Sequence, residues 1–333
     1  MRAVIGAGSE LGLIKQIQQG FARGRRRGIE LGIGDDCAVL RVRGGWEVVV
    51  TTDLMLEGRH FRRDLHSPES VGHRCIARGL SDIAAMGADP LAAFLSLGLP
   101  VKTMKSGAER RWLARFLDGF RWLADGSGVV LAGGDTGEVV GEGMVADVVL
   151  VGQSPRGTAL RRSGARLGDA IYVTGALGGA AAELERMMGG RGRRARRSGV
   201  GRAQPQSYPE PRLGVGAALR RRGLATACID LSDGLSTDLR HLCEASGVGA
   251  EVEAALLPMH EVASGPNKLH LALDGGEDYE LLFTASGRVP RRLAGVAVTR
   301  IGEVVGGRRG IVLVEEDGAR RKLPAGGWEH FRR

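Results

Sequence analysis

The sequence predicts an α/β protein of two domains. Apolar strands alternate with helical segments along most of the chain. A chain of 333 residues is long for one domain and comfortable for two. We place the domains at 1–152 and 153–333. A stretch at 187–206, rich in glycine, arginine, serine and glutamine, interrupts the pattern, and we expect it to be a flexible surface insertion.

The first domain begins with a helix predicted at 10–22. An apolar strand at 47–52 runs directly into Asp53. The next helix opens at Ser67, where serine suits the N-cap and the following proline suits the first helical position. It runs to about Met86. The remaining elements predicted here are a strand at 91–99, a helix at 109–124, and strands at 129–132 and 144–151.

The second domain continues the alternation. A strand at 170–174 leads into a glycine turn at 175–179, which precedes a helix. The backbone N–H groups of this turn suit a bound phosphate, and the same sequence suits an ordinary tight turn. The remaining elements predicted are helices at 209–222 and 235–245 and strands at 225–230, 250–254 and 279–284.

Composition and charge exclude several classes of protein. No apolar run reaches the roughly 18 residues of a membrane span, and no secretory signal is recognised, so we expect a cytoplasmic protein. The four cysteines form no Cys-x-x-Cys pair, which disfavours structural zinc. The net charge is +9, but six arginines lie between 191 and 202, and subtracting these six leaves +3. A specific nucleic-acid role is therefore not expected.

Aspartates recur at the ends of predicted strands and in glycine-rich turns. Ligands bind at strand ends in α/β proteins, and carboxylates without accompanying Cys or His suit Mg²⁺, which brings phosphates with it. Each aspartate alone also fits a turn or a helix cap. The segments are Gly34-Asp35-Asp36, Thr51-Thr52-Asp53, Ser81-Asp82, Gly134-Asp135-Thr136 and Asp230-Leu231-Ser232-Asp233-Gly234.

Asp82 differs from the other aspartates. At roughly 100° per residue, it lies at about 20° from Val71 and within the apolar arc of its predicted helix. A bare carboxylate there would be costly. The position therefore requires a metal, a positive partner or a water-filled cleft.

The chain has no Gly-x-x-x-x-Gly-Lys-Ser/Thr sequence, which excludes nucleotide binding through a P-loop.

Taken together, these segments resemble the thiamine-monophosphate kinase family, which shares a superfamily with aminoimidazole ribonucleotide synthetase and selenophosphate synthetase. The resemblance runs nearly from end to end. The runs Gly-Gly-Glu-Asp-Tyr-Glu-Leu and Ser-Asp-Ile-Ala-Ala-Met-Gly-Ala favour this kinase over its relatives. The matching segments lie at 32–38, 51–53, 58–61, 81–90, 133–136, 162–165, 230–235, 275–281 and 327–331.

The resemblance implies two domains of the aminoimidazole ribonucleotide synthetase-like fold and a homodimer joined through the N-terminal sheet. It also implies ATP held with several Mg²⁺ ions. Position by position, the metal ligands would be Asp35, Thr51, Thr52, Asp53, Asp82, Asp135, Asp230 and Asp233. The ATP contacts would be Gly134, Asp135, Arg162 and Ser232, and the contacts to thiamine monophosphate would be His60, Glu277 and Trp328. For Trp328, packing on the core is the alternative.

Two features depart from the family's pattern. Gly137 follows the Gly-Gly-Asp-Thr segment, where the family usually has threonine or serine, and one hydroxyl near the phosphates is thereby lost. The arginine-rich insertion is also longer than usual.

The resemblance implies Mg²⁺-assisted, in-line phosphorylation of thiamine monophosphate by ATP to thiamine diphosphate. This reaction needs no general base, since a phosphate monoester with a second pKa of about 6 is largely dianionic at neutral pH. Two alternatives remain open. One is another ATP-using enzyme of the superfamily that releases phosphate. The other is a basic nucleic-acid-binding protein with a decayed site.

Overall fold

The computed structural model describes residues 10–21, 28–31, 39–189 and 204–328. The chain divides into two compact units, Met1–Ile83 with Asp89–Arg156, and Ala84–Ala88 with Gly157–Arg333. The first unit thus extends four residues beyond the boundary that the sequence predicts at 152. The short segment Ala84–Ala88 belongs to the second unit, although the residues on both sides of it belong to the first.

A four-stranded sheet forms the centre of the first unit. The strands of this unit are β1 (Ile29–Leu31), β2 (Val39–Leu40), β3 (Trp46–Leu56), β4 (Asp89–Pro100), β5 (Val130–Val139) and β6 (Val145–Pro155). The sheet has the order β3-β6-β4-β5, and β1 pairs separately with β2. Both pairs made by β6 are antiparallel, whereas β4 and β5 are parallel.

The helices of this unit are α1 (Glu10–Phe21), α2 (Pro68–Ala85), α3 (Lys102–Lys105) and α4 (Gly107–Gly126). Ser67 Oγ accepts a backbone N–H of the first turn of α2, which confirms the predicted N-cap. Helices α2 and α4 approach closely at two glycines. A Cβ on Gly72 would lie 1.9 Å from the Phe116 carbonyl oxygen, and one on Gly119 would lie 2.0 Å from that of Glu69. Only glycine fits at these positions.

The two faces of the four-stranded sheet differ. On the face toward α2, Met55, Leu95 and Val148 are at most 4% exposed. On the other face, Val50 and Leu54 of β3 are 58% and 48% exposed. This contrast follows from the alternation of side chains along a strand. The described part of this unit therefore has one covered face and one face that is open along β3, while β1 and β2 pack on the other strands of that second face.

An eight-stranded sheet forms the centre of the second unit. Its strands are β7 (Ala170–Thr174), β8 (Ala227–Asp230), β9 (Val248–Glu253), β10 (Leu281–Ala285), β11 (Arg292–Leu293), β12 (Val296–Gly306), β13 (Ile311–Val314) and β14 (Arg320–Lys322). The order is β14-β13-β9-β12-β7-β10-β8, with β11 paired to β12. The helices are α5 (Gly179–Met188), α6 (Leu213–Arg221), α7 (Leu235–Ser246) and α8 (Lys268–Asp274), with 3-10 turns at Ala254–Leu256 and Gly307–Arg309.

Both faces of this sheet are covered. Ile229 and Leu282 pack in one buried cluster with Leu239 of α7. Their neighbours along the same strands, such as Phe283, pack in a second cluster with Leu219 of α6. Strands β8 and β10 are therefore buried along their whole length, as strands covered on both faces are.

The α/β fold of two sheets with packed helices is confirmed, and the differences from the predicted elements are local. Strand β5 continues through Gly133 to Asp135, beyond the strand predicted at 129–132, because its parallel pairing with β4 supplies backbone hydrogen bonds to the glycines. The elements that were not predicted are helices α3 and α8 and strands β1, β2 and β11 to β14. Among the described residues, no helix has both the length and the apolar character needed to cross a membrane.

Candidate functional site

Three of the predicted metal ligands lie where β3 faces α2. Thr51 Oγ1 donates to Asp82 Oδ2 at 2.5 Å. Asp53, two residues after Thr51, lies on the same face of the strand, whereas Thr52 lies on the open face. The structure thus shows a neutral hydroxyl donor at the partly buried Asp82, where the sequence predicted a metal, a positive partner or a water-filled cleft. We call Thr51, Asp53 and Asp82 the helix-face cluster.

Arg78 forms an ion pair with Asp53. Its Nε and Nη2 donate to Asp53 Oδ1 at 3.2 and 3.0 Å. Burial raises the pKa of Asp53, and the charge and hydrogen bonds of Arg78 offset that rise only in part. Sequence reasoning missed Arg78. The available signal was its position four residues before Asp82 on one helix, which puts both side chains on the same face.

Asp135 lies on the opposite face of the same sheet. The register pairs Gly134 with Leu95 of β4, on the covered side, and so turns Asp135 to the open side. Gly134 has φ 149°, and a Cβ there would lie 2.0 Å from the Leu95 carbonyl oxygen, so the position requires glycine. Asp135 is exposed, and two strands separate it from β3, a distance of about 14 Å at roughly 4.8 Å per strand. Within this unit it does not join the helix-face cluster.

Four predicted residues come together in the second unit. The N–H of Glu277 donates to the carbonyl oxygen of Ser232 at 2.9 Å, and the N–H of Trp328 donates to that of Asp233 at 3.0 Å. Asp230, at the end of β8, is 3% exposed. Trp328 is 48% exposed, which disfavours the alternative that it packs on the core. We call Ser232, Asp233, Glu277 and Trp328 the loop cluster.

A buried carboxylate that sequence reasoning missed holds the first loop of this cluster. Asp238 Oδ2 accepts the backbone N–H groups of Asp233 and Gly234 at 3.0 and 3.1 Å. Burial raises the pKa of Asp238 to about 7, and the charge of Asp233 adds to the rise. An acidic residue in the first turn of a helix was the available signal, since such residues satisfy the N–H groups that the helix start leaves unpaired.

A second carboxylate, partly buried, decides the interpretation of the glycine turn. Asp278 Oδ2 accepts the N–H of Gly178 at 2.6 Å, and Oδ1 accepts that of Ala180 at 3.2 Å. Burial raises the pKa of Asp278 to about 7. Because the chain's own carboxylate already takes these donors, the turn at 175–179 is structural and the phosphate interpretation is not supported.

Glu277 is held in an unusual backbone conformation. Its φ is 69°, and that of Tyr279 is 49°, both in the left-handed region that side chains rarely adopt. Its carboxylate accepts a hydrogen bond from Gln206 Nε2 at 3.2 Å.

Gln206, at the end of the predicted insertion, is 2% exposed. The bounds predicted for the surface insertion, 187–206, are therefore too wide at both ends. Helix α5 continues to Met188, and Gln206 is buried. Residues 190–203 lie outside the described residues.

Two further predicted residues lie outside the cluster of their own unit, His60 outside the helix-face cluster and Arg162 outside the loop cluster. His60 follows β3, and its Nδ1 accepts the N–H of Leu56 at 3.0 Å. Arg162 is exposed, and its carbonyl oxygen accepts from Ser246 at the last residue of α7, whereas the loop cluster precedes the first residue of that helix. Asp35 lies outside the described residues.

The helix-face cluster contains oxygen donors of the kind that Mg²⁺ binds, one hydroxyl and two carboxylates. The described ranges hold no group of three or more His, Cys, Asp or Glu side chains that could bind a metal ion. Mg²⁺ usually keeps waters and binds substrate phosphates, so one or two carboxylates in each cluster suit it.

Comparisons with known proteins agree over nearly the whole chain. The family models AIR synthase related protein, N-terminal domain, and AIR synthase related protein, C-terminal domain, match residues 34–154 and 166–315. The chain is 37% identical to the thiamine-monophosphate kinase of Escherichia coli (strain K12), over 93% of this chain and 94% of that protein.

Two solved structures are similar to the chain. The crystal structure of thiamine-monophosphate kinase from Stenotrophomonas maltophilia K279a has a TM-score of 0.77 at 35% identity and covers 95% of this chain and 98% of its own. A structure described as AaThiL complexed with AMPPCP and TMP has a TM-score of 0.73 at 32% identity and covers 97% of each chain.

Proposed function

The chain belongs to the thiamine-monophosphate kinase family, and from that premise we propose that it transfers the γ-phosphoryl group of ATP to the phosphate of thiamine monophosphate. The products are ADP and thiamine diphosphate. The observation that carries the proposal is the loop cluster, in which Glu277 and Trp328, expected at thiamine, are bonded to the backbone of Ser232 and Asp233, expected at ATP and metal. A similar structure is complexed with AMPPCP and TMP.

The chain's part in this reaction is to bind, orient and neutralise. The acceptor phosphate is already largely dianionic near neutral pH and needs no general base. Two like charges at ~4 Å repel by roughly 4 kcal/mol at an effective dielectric near 20, so positive charge must lie between donor and acceptor. We assign Gly134, Asp135, Arg162 and Ser232 to ATP, with Arg162 supplying a fixed charge.

The donor set of the helix-face cluster fits Mg²⁺. Its oxygens are hard ligands, and the raised pKa of Asp53 means that Arg78 alone leaves this buried carboxylate incompletely compensated. When bound, Mg²⁺ would neutralise phosphate charge and align the two phosphates. The proposed ligands are Asp35, Thr51, Thr52, Asp53, Asp82, Asp135, Asp230 and Asp233.

Thiamine carries a cationic thiazolium ring and a flat pyrimidine. The half-exposed indole of Trp328 suits stacking against such a ring, and the Glu277 carboxylate suits its positive charge. His60 is the third proposed contact. These roles rest on the resemblance and on the exposure and bonding of these side chains.

We also propose a homodimer formed through the open face of the four-stranded sheet. Val48, Val50 and Leu54 present an apolar stripe there, each about half exposed, and such stripes usually mark an interface. Val50→Lys should convert the dimer to a monomer in sedimentation-velocity measurements.

We propose a reducing, cytoplasmic location. The described cysteines Cys75, Cys228 and Cys243 are buried free thiols, which supports it.

The direct experiment incubates the protein with ATP, MgCl₂ and thiamine monophosphate and follows the products by phosphorus NMR. We expect ADP and thiamine diphosphate in equal amounts. Free phosphate without thiamine diphosphate would instead support a phosphate-releasing relative, and no turnover by well-folded protein would overturn the proposal. Steeply salt-dependent binding of RNA or DNA would favour the nucleic-acid alternative.

A further inference from the structure

Gln206 is a buried amide beside the proposed substrate carboxylate. Its Nε2 donates to Glu277 Oε2 at 3.2 Å, and the residue is 2% exposed. An amide bonded to a carboxylate through its NH₂ has only one possible orientation, since only nitrogen can donate. Its Oε1 is buried and has no hydrogen-bond partner among the described residues. The side chain therefore makes its bond to Glu277 while its own carbonyl oxygen stays buried without a hydrogen bond, which is unfavourable.

Glu183 of α5 fixes the backbone of Gln206. Its Oε2 accepts the N–H of Gln206 at 2.7 Å, and its Oε1 accepts from the Ser207 hydroxyl at 2.6 Å. The start of α5 is in turn bonded to Asp278, the residue that follows Glu277. The chain thus closes a ring of contacts, from Glu277 through Gln206 and Glu183 along α5 and back to Asp278.

This ring acts on a residue with a strained backbone. Glu277 has a positive φ, a conformation that costs on the order of 1 kcal/mol or more and persists only where its surroundings hold it. The backbone bond to Ser232 fixes its N–H, and Gln206 restrains its side chain. A neutral donor restrains the carboxylate without cancelling its charge, and that charge is what attracts a cationic ring.

We propose that Gln206 is a positioning residue for the thiamine end of the substrate, acting through Glu277. The inference rests on the proposed function, because it takes the cationic substrate from there. It assigns a role in substrate binding to the end of the segment that sequence alone assigns to the surface.

The test compares Gln206→Leu with Ser207→Ala. Leucine keeps the approximate size, removes the donor to Glu277 and removes the unpaired oxygen. Ser207→Ala breaks a neighbouring bond to Glu183 and leaves Gln206 in place. For Gln206→Leu we expect KM for thiamine monophosphate to rise about tenfold, with kcat and KM for ATP within about twofold and an unchanged or higher melting temperature. Ser207→Ala should resemble wild type.

A double-mutant cycle with Glu277→Gln separates positioning from a structural role. If Gln206 acts through Glu277, Gln206→Leu should raise KM by less than about twofold in the Glu277→Gln background. Equal effects in both backgrounds, or a fall in melting temperature that accounts for the loss, would overturn the inference. Wild-type turnover with an unchanged KM in Gln206→Leu would overturn it while the kinase assignment stands. A wild type that neither binds thiamine monophosphate in calorimetry nor phosphorylates it would overturn both.

Discussion

The helix-face cluster and the loop cluster are built in different ways. In the helix-face cluster, strand alternation brings Thr51 and Asp53 to one side, and helical periodicity brings Asp82 to meet them. In the loop cluster, the backbone leaves regular structure, and Asp238 holds it through N–H groups. Regular elements position a side chain through their own geometry, whereas loops need additional polar groups to fix them.

The largest effect should come from the helix-face cluster. Asp82→Asn keeps the shape and removes the charge, so we expect turnover to fall by a factor on the order of 10³ while the melting temperature changes little. The measurement is steady-state thiamine diphosphate formation across a range of MgCl₂ concentrations. Asp125→Asn, an exposed aspartate of α4, is the matched control. Activity near wild type in Asp82→Asn would remove the metal role from this cluster.

The same contrast decides what the sequence could predict. The N-cap of α2 and the apolar arc around Asp82 follow from local periodicity, and both were predicted. The pair Arg78 and Asp53 joins residues that are 25 positions apart. No single-segment pattern reports such a contact, because it depends on how α2 lies on β3. The signal exists only after the two elements have been placed.

The loop cluster was predictable only as a set of motif residues. Asp278 and Gly178 are 100 positions apart, and Gln206 and Glu277 are 71 apart. Composition even assigned Gln206 to a surface insertion, because the arginine and glycine before it dominate the pattern.

A smaller but substantial loss is expected from the carboxylate that supports the loop cluster. Asp238→Ala removes the Oδ2 atom that accepts both bonds, so the N–H groups of Asp233 and Gly234 lose their partner. We expect kcat to fall by about 10- to 30-fold, corresponding to roughly 1.4–2 kcal/mol. Initial-rate kinetics measure the loss, with Glu244→Gln on the exposed side of α7 as the control. Equal rates for both variants would show that the loop keeps its shape without Asp238.

The raised pKa of Asp278 predicts a pH dependence of stability. Its ordinary value is 3.8 and its folded value is about 7, so between these values the folded chain holds one proton more than the unfolded chain. The free energy of unfolding should therefore fall as pH rises from about 4 to 7 and level off above that. Relative to Asp278→Asn, we expect wild type to lose about 2 kcal/mol across this window, after a discount for solvent screening.

Urea unfolding at several pH values measures this difference. Asp238 is present in both proteins, so its own titration cancels from the comparison. A constant difference between wild type and Asp278→Asn from pH 4 to pH 7 would mean that Asp278 is ionised throughout. The two N–H groups at the glycine turn would then outweigh burial, and the turn would be held by a charge rather than by a protonated acid.

The smallest effect should come from Trp328, whose side chain lies at the edge of the loop cluster. The backbone N–H of Trp328 donates to the carbonyl oxygen of Asp233, so a substitution changes the ring and leaves this backbone bond in place. Phenylalanine keeps an aromatic face but offers a weaker one to a cation, and we expect Trp328→Phe to raise KM for thiamine monophosphate about threefold. Trp122, 54% exposed on α4, provides a matched control as Trp122→Phe. An equal rise in both variants, or a rise in KM for ATP instead, would mean that the indole does not contact thiamine and that the loop cluster binds its substrate through Glu277.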